Sequence, residues 1–212
     1  QEFVYNEELG KEIPKGWEVK RLGEVATIES GGNAPQDQKY FINGKFPFVR
    51  VKHLTKEICV HESDFINEDA VKDYKLKMYS LGSIIFQRSG ESLFEGRINL
   101  LPFESYLVNH LAVIDSKNNQ NIPFLYLYLK DNIFEIIENS KAGTSLPYLR
   151  TSDLNGFPIT IPPPSILQNF HSLVEPLFQK IILNQKQIMT LKKVRDTLLP
   201  LLVFGKLRVE EI

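Results

Sequence analysis

The stretch from Ser165 to Leu199 constrains this chain most, because it reads as one long amphipathic helix. Apolar residues recur at Leu167, Phe170, Val174, Leu177, Ile181, Ile188, Leu191 and Leu198. Steps of three and four are the spacing of a heptad seam. Asn184 and Arg195 also fall on seam positions. A polar residue there fixes register and partner number at some cost in stability. At 1.5 Å per residue the stretch spans roughly 50 Å, more than a domain of this size needs for its own core. The helix is therefore expected to reach a partner outside its own domain. The plainer alternative is a core helix packed on its own domain.

Both ends carry signals. Pro162, Pro163 and Pro164 cannot be helix interior, since proline lacks the amide donor and clashes with the preceding turn. Ser165 with Gln168 predicts a capping box. Pro200 is expected to stop the helix, and Gly205 to let the chain turn. Pro176 removes a hydrogen bond to the Ser172 carbonyl, at about 3 kcal/mol in a regular interior. It predicts a kink, or a break between a short helix and a longer one.

The totals restrict the function classes. With 212 residues and 42% apolar content, the chain can bury a real core as one large domain or a domain plus an extension. A net charge of -1 argues against a purely electrostatic nucleic-acid binder. The single cysteine, Cys59, excludes an internal disulfide and a multi-cysteine metal site, and fits a reducing compartment such as the cytoplasm. No apolar run approaches the roughly 20 residues that cross a bilayer, so no membrane partner is expected. The first residue is Gln1, which is expected of a trimmed chain or a piece of a longer one.

Along the chain, residues 1–15 are acidic and read as a linker. Glu18 to Ala26 predicts a strand leading into a short helix, and Ser30-Gly31-Gly32-Asn33 a turn. From Lys45 to Leu54, Phe46, Phe48 and Val49 against Arg50, Lys52 and His53 predict a strand with one basic face. Asn67 to Tyr79 reads as helical. Ser83 to Gln87, Ile98 to Pro102, Tyr106 to Ile114 and Phe157 to Ile161 read as strands. Pro123 to Asn139 changes to a helical period through Phe124, Tyr128, Ile133, Ile136 and Ile137. The expected fold class is α+β: a globular domain with a mixed, curved sheet and short helices over 16–161, then a long coiled-coil-forming helix and tail over 162–212.

Catalytic motifs are missing from the sequence. Gln87-Arg88-Ser89-Gly90 lacks the first glycine of a nucleophile elbow. There is no GxxxxGK phosphate loop. His53, His61, His110 and His171 are scattered without metal-ligand spacing. The chain is expected not to be an enzyme and to hold no metal or cofactor of its own.

Five short motifs, in order over about residues 13–208, resemble the specificity subunit of type I restriction–modification systems. They are Ile13 to Val19 with Leu22 to Val25, Leu81 to Phe86 with Arg88-Ser89-Gly90, Gly143 to Leu149, Ile159 to Pro164 with Gln168, and Leu198 to Leu202 with Gly205. The resemblance implies a target-recognition domain that reads half of a bipartite site in double-stranded DNA. It implies a conserved helix that spaces the half-sites, self-associates and docks methyltransferase subunits. S-adenosylmethionine, ATP and magnesium would then belong to the modification subunits and a separate restriction motor subunit. Members usually carry two recognition domains and two helices, whereas this chain has one of each, so a half-subunit or a fragment is implied.

Two patches supply groups suited to DNA, since arginine reads guanine edges while lysine, hydroxyls and amides hold phosphates. One is Arg50, Lys52 and His53, with Gln87 and Arg88 expected nearby. The other is the stretch holding Lys141, Thr144, Ser145, Tyr148 and Arg150, which contains no carboxylate. Lys39-Tyr40 is a weaker third. Taken alone, these patches fit an ordinary solvated loop and strand face; the resemblance makes them DNA-contact candidates. Phe170, Val174, Leu177, Ile181, Asn184, Ile188, Leu191 and Leu198 are the expected helix interface. The alternative reading is an assembly module that dimerises through the helix without reading DNA. A weaker third is the recognition part of a fused restriction–methylation enzyme.

Overall fold

The computed structural model describes residues 2–117, 121–139 and 148–205. The chain opens with an antiparallel hairpin of β1 (Phe3–Asn6) and β2 (Lys11–Pro14), turned by Gly10 at φ 61°. The entry segment thus has secondary structure of its own. Strand β3 (Glu18–Arg21) and helix α1 (Leu22–Val25) follow as the sequence predicts, and strand β4 (Ala26–Ser30), which it does not, comes next. Then come β5 (Phe46–Val49), β6 (Asp64–Ile66), α2 (Glu68–Asp73), β7 (Met78–Tyr79), β8 (Ile84–Gln87) and β9 (Ile98–Leu100). The chain continues through β10 (Ser105–Leu107), β11 (Leu111–Ser116), α3 (Ile122–Asn139), α4 (Thr151–Gly156), β12 (Pro158–Ile161) and α5 (Pro164–Val203).

Two four-stranded sheets form the body, in the orders β6-β5-β10-β7 and β4-β11-β8-β9. β5 and β10 are parallel and the other pairings within these sheets antiparallel, so the fold is α+β with a mixed sheet. The second sheet lies between two cores, and alternation explains how. In β8, Ile84 and Phe86 face the helices while Ile85 faces the other sheet; in β11, Ala112 and Ile114 face the helices while Leu111 and Val113 face the sheet. This is why Ile84 to Phe86 is a continuous apolar run, buried on both faces.

The helical side of the core is built on α3. Leu125, Tyr126, Leu129, Ile133, Ile136 and Ile137 are buried, each large side chain contributing about 1.5–3 kcal/mol. Phe124 faces α5, while the Tyr128 hydroxyl accepts the Thr160 amide proton of β12 at 3.2 Å. Phe124 meets Phe170 edge-on at 6.4 Å, and Tyr126 meets Phe178 at 5.6 Å.

Several boundaries differ from expectation. The apolar run Tyr106 to Ile114 is two strands in different sheets, separated by the turn at Asn109-His110. The stretch Asn67 to Tyr79 is a short helix capped by Asn67, followed by a two-residue strand. Helix α5 starts at Pro164 with Pro163 as N-cap and no side-chain cap bond, so Ser165 and Gln168 form no capping box. Proline is tolerated at the first helical position because that amide has no partner anyway. Neither Pro176 nor Pro200 interrupts the helix. Both are exposed, as is Ser172, so solvent can reach the carbonyl that Pro176 leaves without a donor. The end comes after Val203, where the Gly205 amide donates to the Leu202 carbonyl at 3.1 Å and Gly205 adopts φ 65°.

Candidate nucleic-acid interface

Strands β4, β5, β8 and β10 all finish at one end of the body. β4 and β8 both run antiparallel to β11, so they point the same way, and β5 runs parallel to β10. The loops after these four strands therefore share a rim. Gly32 bridges Val108, the Asn109 amide donates to the Gly32 carbonyl at 2.7 Å, and the Val108 amide donates to the Val49 carbonyl at 3.1 Å. Gly31 makes this approach possible: a Cβ there would lie 2.3 Å from the carbonyl oxygens of Leu107 and Val108, which no side chain tolerates.

One half of the rim is organised by Arg88. Its Nε donates to the Leu149 carbonyl at 3.2 Å and its Nη2 to the Tyr148 hydroxyl at 2.9 Å. Its guanidinium also lies over the Tyr148 ring, 4.9 Å from the centroid. Backbone bonds join the same strands: the Leu149 amide donates to the Arg88 carbonyl, and the Arg88 amide to the His110 carbonyl. Arg88 is buried and Tyr148 is 47% exposed. The arginine thus holds an aromatic face and a hydroxyl outward and does not itself reach solvent. Gln87 is buried as well; its amide donates to the Ser89 carbonyl and its oxygen accepts from the Ser92 hydroxyl. Both residues hold the loop in shape, in place of the outward reach the sequence suggests for them.

The other half gathers around Asp64. Its carboxylate takes Arg50 Nε at 3.0 Å, Lys52 Nζ at 2.8 Å and His53 Nε2 at 3.5 Å. Arg50 also stacks on Phe41 at 4.9 Å and Phe48 at 5.6 Å. The chain turns at Arg50 because His53 Nδ1 accepts the Arg50 amide proton at 3.0 Å, and residues 51–53 form a 3-10 turn in place of the predicted strand. That bond places the ring proton on Nε2, toward Asp64. Burial holds His53 below its ordinary value, against the opposite pull of Asp64. His53 is buried and braces the turn, while Lys52 is exposed and Arg50 half-buried.

Arg150 is exposed at the N-terminus of α4, where Asp153 accepts its amide proton at 3.1 Å. Lys141, Thr144 and Ser145 lie outside the described residues. Lys39 and Tyr40 lie on the 3-10 turn Gln38–Phe41 beside Arg50, which stacks on Phe41; Tyr40 is buried with its hydroxyl donating to Asp73, and Lys39 rests over the Tyr40 ring.

The rim brings up four residues that sequence reading passed over: Asn33, Ser89, Asn109 and His110. Asn109 Nδ2 donates to Asn33 Oδ1 at 3.0 Å, and Ser89 Oγ and His110 Nδ1 share a bond at 2.7 Å. Asn33, Asn109 and His110 are exposed. Each group offers both donor and acceptor atoms, as base-edge reading requires. The glycine pair before Asn33 was the available signal. No signal linked it to residues 89 and 109–110, because that proximity is created by the strand pairing.

Helix α5 divides the expected interface in two. Phe170, Val174 and Ile181 face the head, together with Phe178, Ile182 and Gln185. Leu177, Asn184, Ile188, Leu191 and Leu198 are exposed, along with Leu173 and Leu202. Among the described residues no group of three His, Cys, Asp or Glu side chains could hold a metal ion. No helix among them is long and apolar enough to cross a membrane.

Comparison with known proteins adds the following. The chain is 63% identical, over its whole length, to the type I restriction enzyme MjaIX specificity subunit of Methanocaldococcus jannaschii, and covers 49% of that protein. It is 24% identical over 92% of its length to the HindI specificity subunit of Haemophilus influenzae, covering 42% of it. The chain thus spans about half the length of the curated relatives it matches. In fold it is similar to the HsdS subunit from Thermoanaerobacter tengcongensis, with TM-score 0.57 and 21% identity over 91% of this chain and 46% of that one. The S subunit from M. genitalium aligns with TM-score 0.54 and 22% identity over 87% and 45% of the two chains. The family described as type I restriction modification DNA specificity domain matches residues 14–193. By that match and by the identity shared along its whole length, the chain belongs to the type I restriction–modification DNA specificity domain family.

Proposed function

We propose that this chain is a non-catalytic DNA-reading unit of a cytoplasmic type I restriction–modification complex. Its rim reads one half of a bipartite site. Tyr148, Arg150, Asn33, Asn109, His110 and Ser89 contact bases, and Lys52 and Arg50 contact phosphates. Lys141, Thr144 and Ser145 belong to the same stretch as Tyr148 and join this proposal. Helix α5 self-associates and docks methyltransferase subunits through its exposed stripe, and a restriction subunit completes the complex. S-adenosylmethionine, ATP and magnesium act in those partners.

The observation that carries this reading is the convergence of four strand ends on one rim, with a buried arginine presenting Tyr148. A tyrosine that is 47% exposed yet fixed by a hydrogen bond and a stacked guanidinium is a preorganised contact, and preorganisation removes ordering cost from binding. Arg150→Ala and Tyr148→Ala should each weaken DNA binding of the assembled complex by about 1–3 kcal/mol; Arg150→Ala should leave the melting temperature unchanged, whereas Tyr148→Ala also takes a partner from the buried Arg88 and should lower it. Lys52→Ala should weaken binding evenly across sequences and lower the salt slope by about one. Unchanged affinity for all three at one fixed salt concentration would defeat the reading. It would leave the assembly module, which the exposed leucines of α5 support on their own.

A further inference from the structure

The corner joining β10 to β11 is held from both sides. The Leu111 amide donates to the Val108 carbonyl at 3.0 Å, closing a β-turn with Asn109 and His110 at its tip. On one side the Gly32 amide donates to the Leu107 carbonyl at 2.8 Å, and the Gly32 carbonyl takes the Asn109 amide. On the other side the His110 carbonyl takes the Arg88 amide at 2.9 Å, and the His110 ring is bonded to Ser89. The turn itself does not call for asparagine. Asparagine is favoured where the backbone is left-handed, and the described residues other than glycine with positive φ are Asn43 and Lys75.

The Asn109 side chain is exposed, and its Nδ2 donates one proton to Asn33 Oδ1 at 3.0 Å. That bond fixes which way the amide faces. Asn109 keeps its second Nδ2 proton and its Oδ1, a donor and an acceptor side by side on a fixed stem. Such a pair discriminates among bases in the major groove. Adenine presents an acceptor at N7 beside a donor at N6, which matches it. Guanine presents two acceptors, N7 and O6, so Oδ1 would face O6 with no proton between them. Cytosine presents the N4 donor without a neighbouring acceptor, and thymine the O4 acceptor without a donor.

We infer that Asn109 reads one adenine in the major groove, with Oδ1 accepting from N6 and Nδ2 donating to N7. Asn33 is its positioning residue, setting the face that the amide presents. The inference rests on the DNA-reading function proposed above and names one letter of the half-site. Because the turn is clamped on both sides before DNA arrives, little ordering cost opposes the contact.

The complex assembled from the full chain and methyltransferase subunits, offered a library of randomised duplexes, tests this. The unsubstituted complex should select a half-site with an adenine that Asn109→Ala no longer requires, the other letters staying as they were. Replacing that adenine by 7-deazaadenine removes N7 and keeps the base pair. It should weaken binding of the unsubstituted complex about tenfold and leave Asn109→Ala unaffected. Asn33→Ala should weaken the preference for that adenine alone. Asn33→Asp keeps an acceptor for the Asn109 amide and should restore the preference, although its charge lowers affinity for every sequence. Failure of Asn33→Asp to restore it overturns the role of Asn33. A half-site that Asn109→Ala leaves unchanged, a lost letter other than adenine, or an equal 7-deazaadenine effect in both complexes overturns the inference and leaves DNA reading standing. An unsubstituted complex that selects no sequence overturns both.

Discussion

The two halves of helix α5 are written in the same pattern and live in different surroundings. Up to about Gln185 one side lies on the head, with Phe178 against Tyr126 and Phe170 against Phe124. From Leu191 to Pro200 every residue is exposed, although leucines continue at the same spacing. The difference teaches that periodicity identifies a face but not what covers it. Asn184 and Gln185 make the point side by side. Asn184 is exposed on the stripe, while Gln185 is buried against the head with its Nε2 lacking a hydrogen-bond partner among the described residues.

Phe178→Ala should break the proximal half most severely. It removes a buried ring and leaves a cavity, lowering stability by about 3–5 kcal/mol in urea unfolding. Leu191→Ala, at dilutions where the chain is alone, should move stability by less than about 0.5 kcal/mol. Equal losses from the two would erase the distinction between the halves.

The distal half should fail in association instead. Leu191→Asp with Leu198→Asp is expected to weaken helix-mediated assembly about a hundredfold, or roughly 2.7 kcal/mol, as read by sedimentation. The unfolding midpoint of the dilute chain should stay where it was.

Gln185→Leu should raise stability by about 1 kcal/mol, because it removes an unpaired buried amide. Asn184→Leu should not affect folding, yet should tighten association while loosening its register.

The smallest effect concerns Asp115, which lines a crevice of about 590 Å3 between the proximal helix and the sheet, with Ser83, Glu175, Phe178 and Lys186. Burial, and secondarily the charge of Glu29, raise its carboxyl above the ordinary value, against a hydrogen bond with Ser83. The folded state therefore favours the protonated acid. Its contribution to stability is fully present below the unfolded value of 3.8 and is lost as pH rises through the folded value. Asp115→Asn should gain stability over the unsubstituted protein at neutral pH, and the gain should shrink on acidification. A constant difference from pH 3 to pH 7 would show that Asp115 titrates normally.

Much of the fold can be read from local pattern, and the reasons for the rest are physical. The helical period from Phe124 to Ile137 and the doubly buried run of β8 follow from alternation and spacing. The division of Tyr106 to Ile114 does not, because only the pair Asn109-His110 interrupts seven otherwise strand-like positions. The exposure of Tyr148, Arg150 and Lys52 could be read from residue type. The burial of Gln87, Arg88 and His53 could not, since it depends on Ser92, Leu149 and Asp64 arriving from elsewhere in the chain. Pro176 and Pro200 misled because the cost of proline inside a helix depends on whether solvent can reach the freed carbonyl.

The second sheet, closed on both of its faces, has a consequence for how such a unit can change over generations. Ile84, Ile85, Phe86, Val113 and Ile114 are enclosed by two cores, so the strands stay folded whatever the rim displays. Asn33, Asn109, His110 and Arg150 face outward and can be exchanged without disturbing that enclosure. Gly31, Gln87 and Arg88 cannot, because one lacks room for a side chain and two hold the loops in place. Substitution is thereby channelled: what the rim displays is free to drift, while the frame that presents it is not.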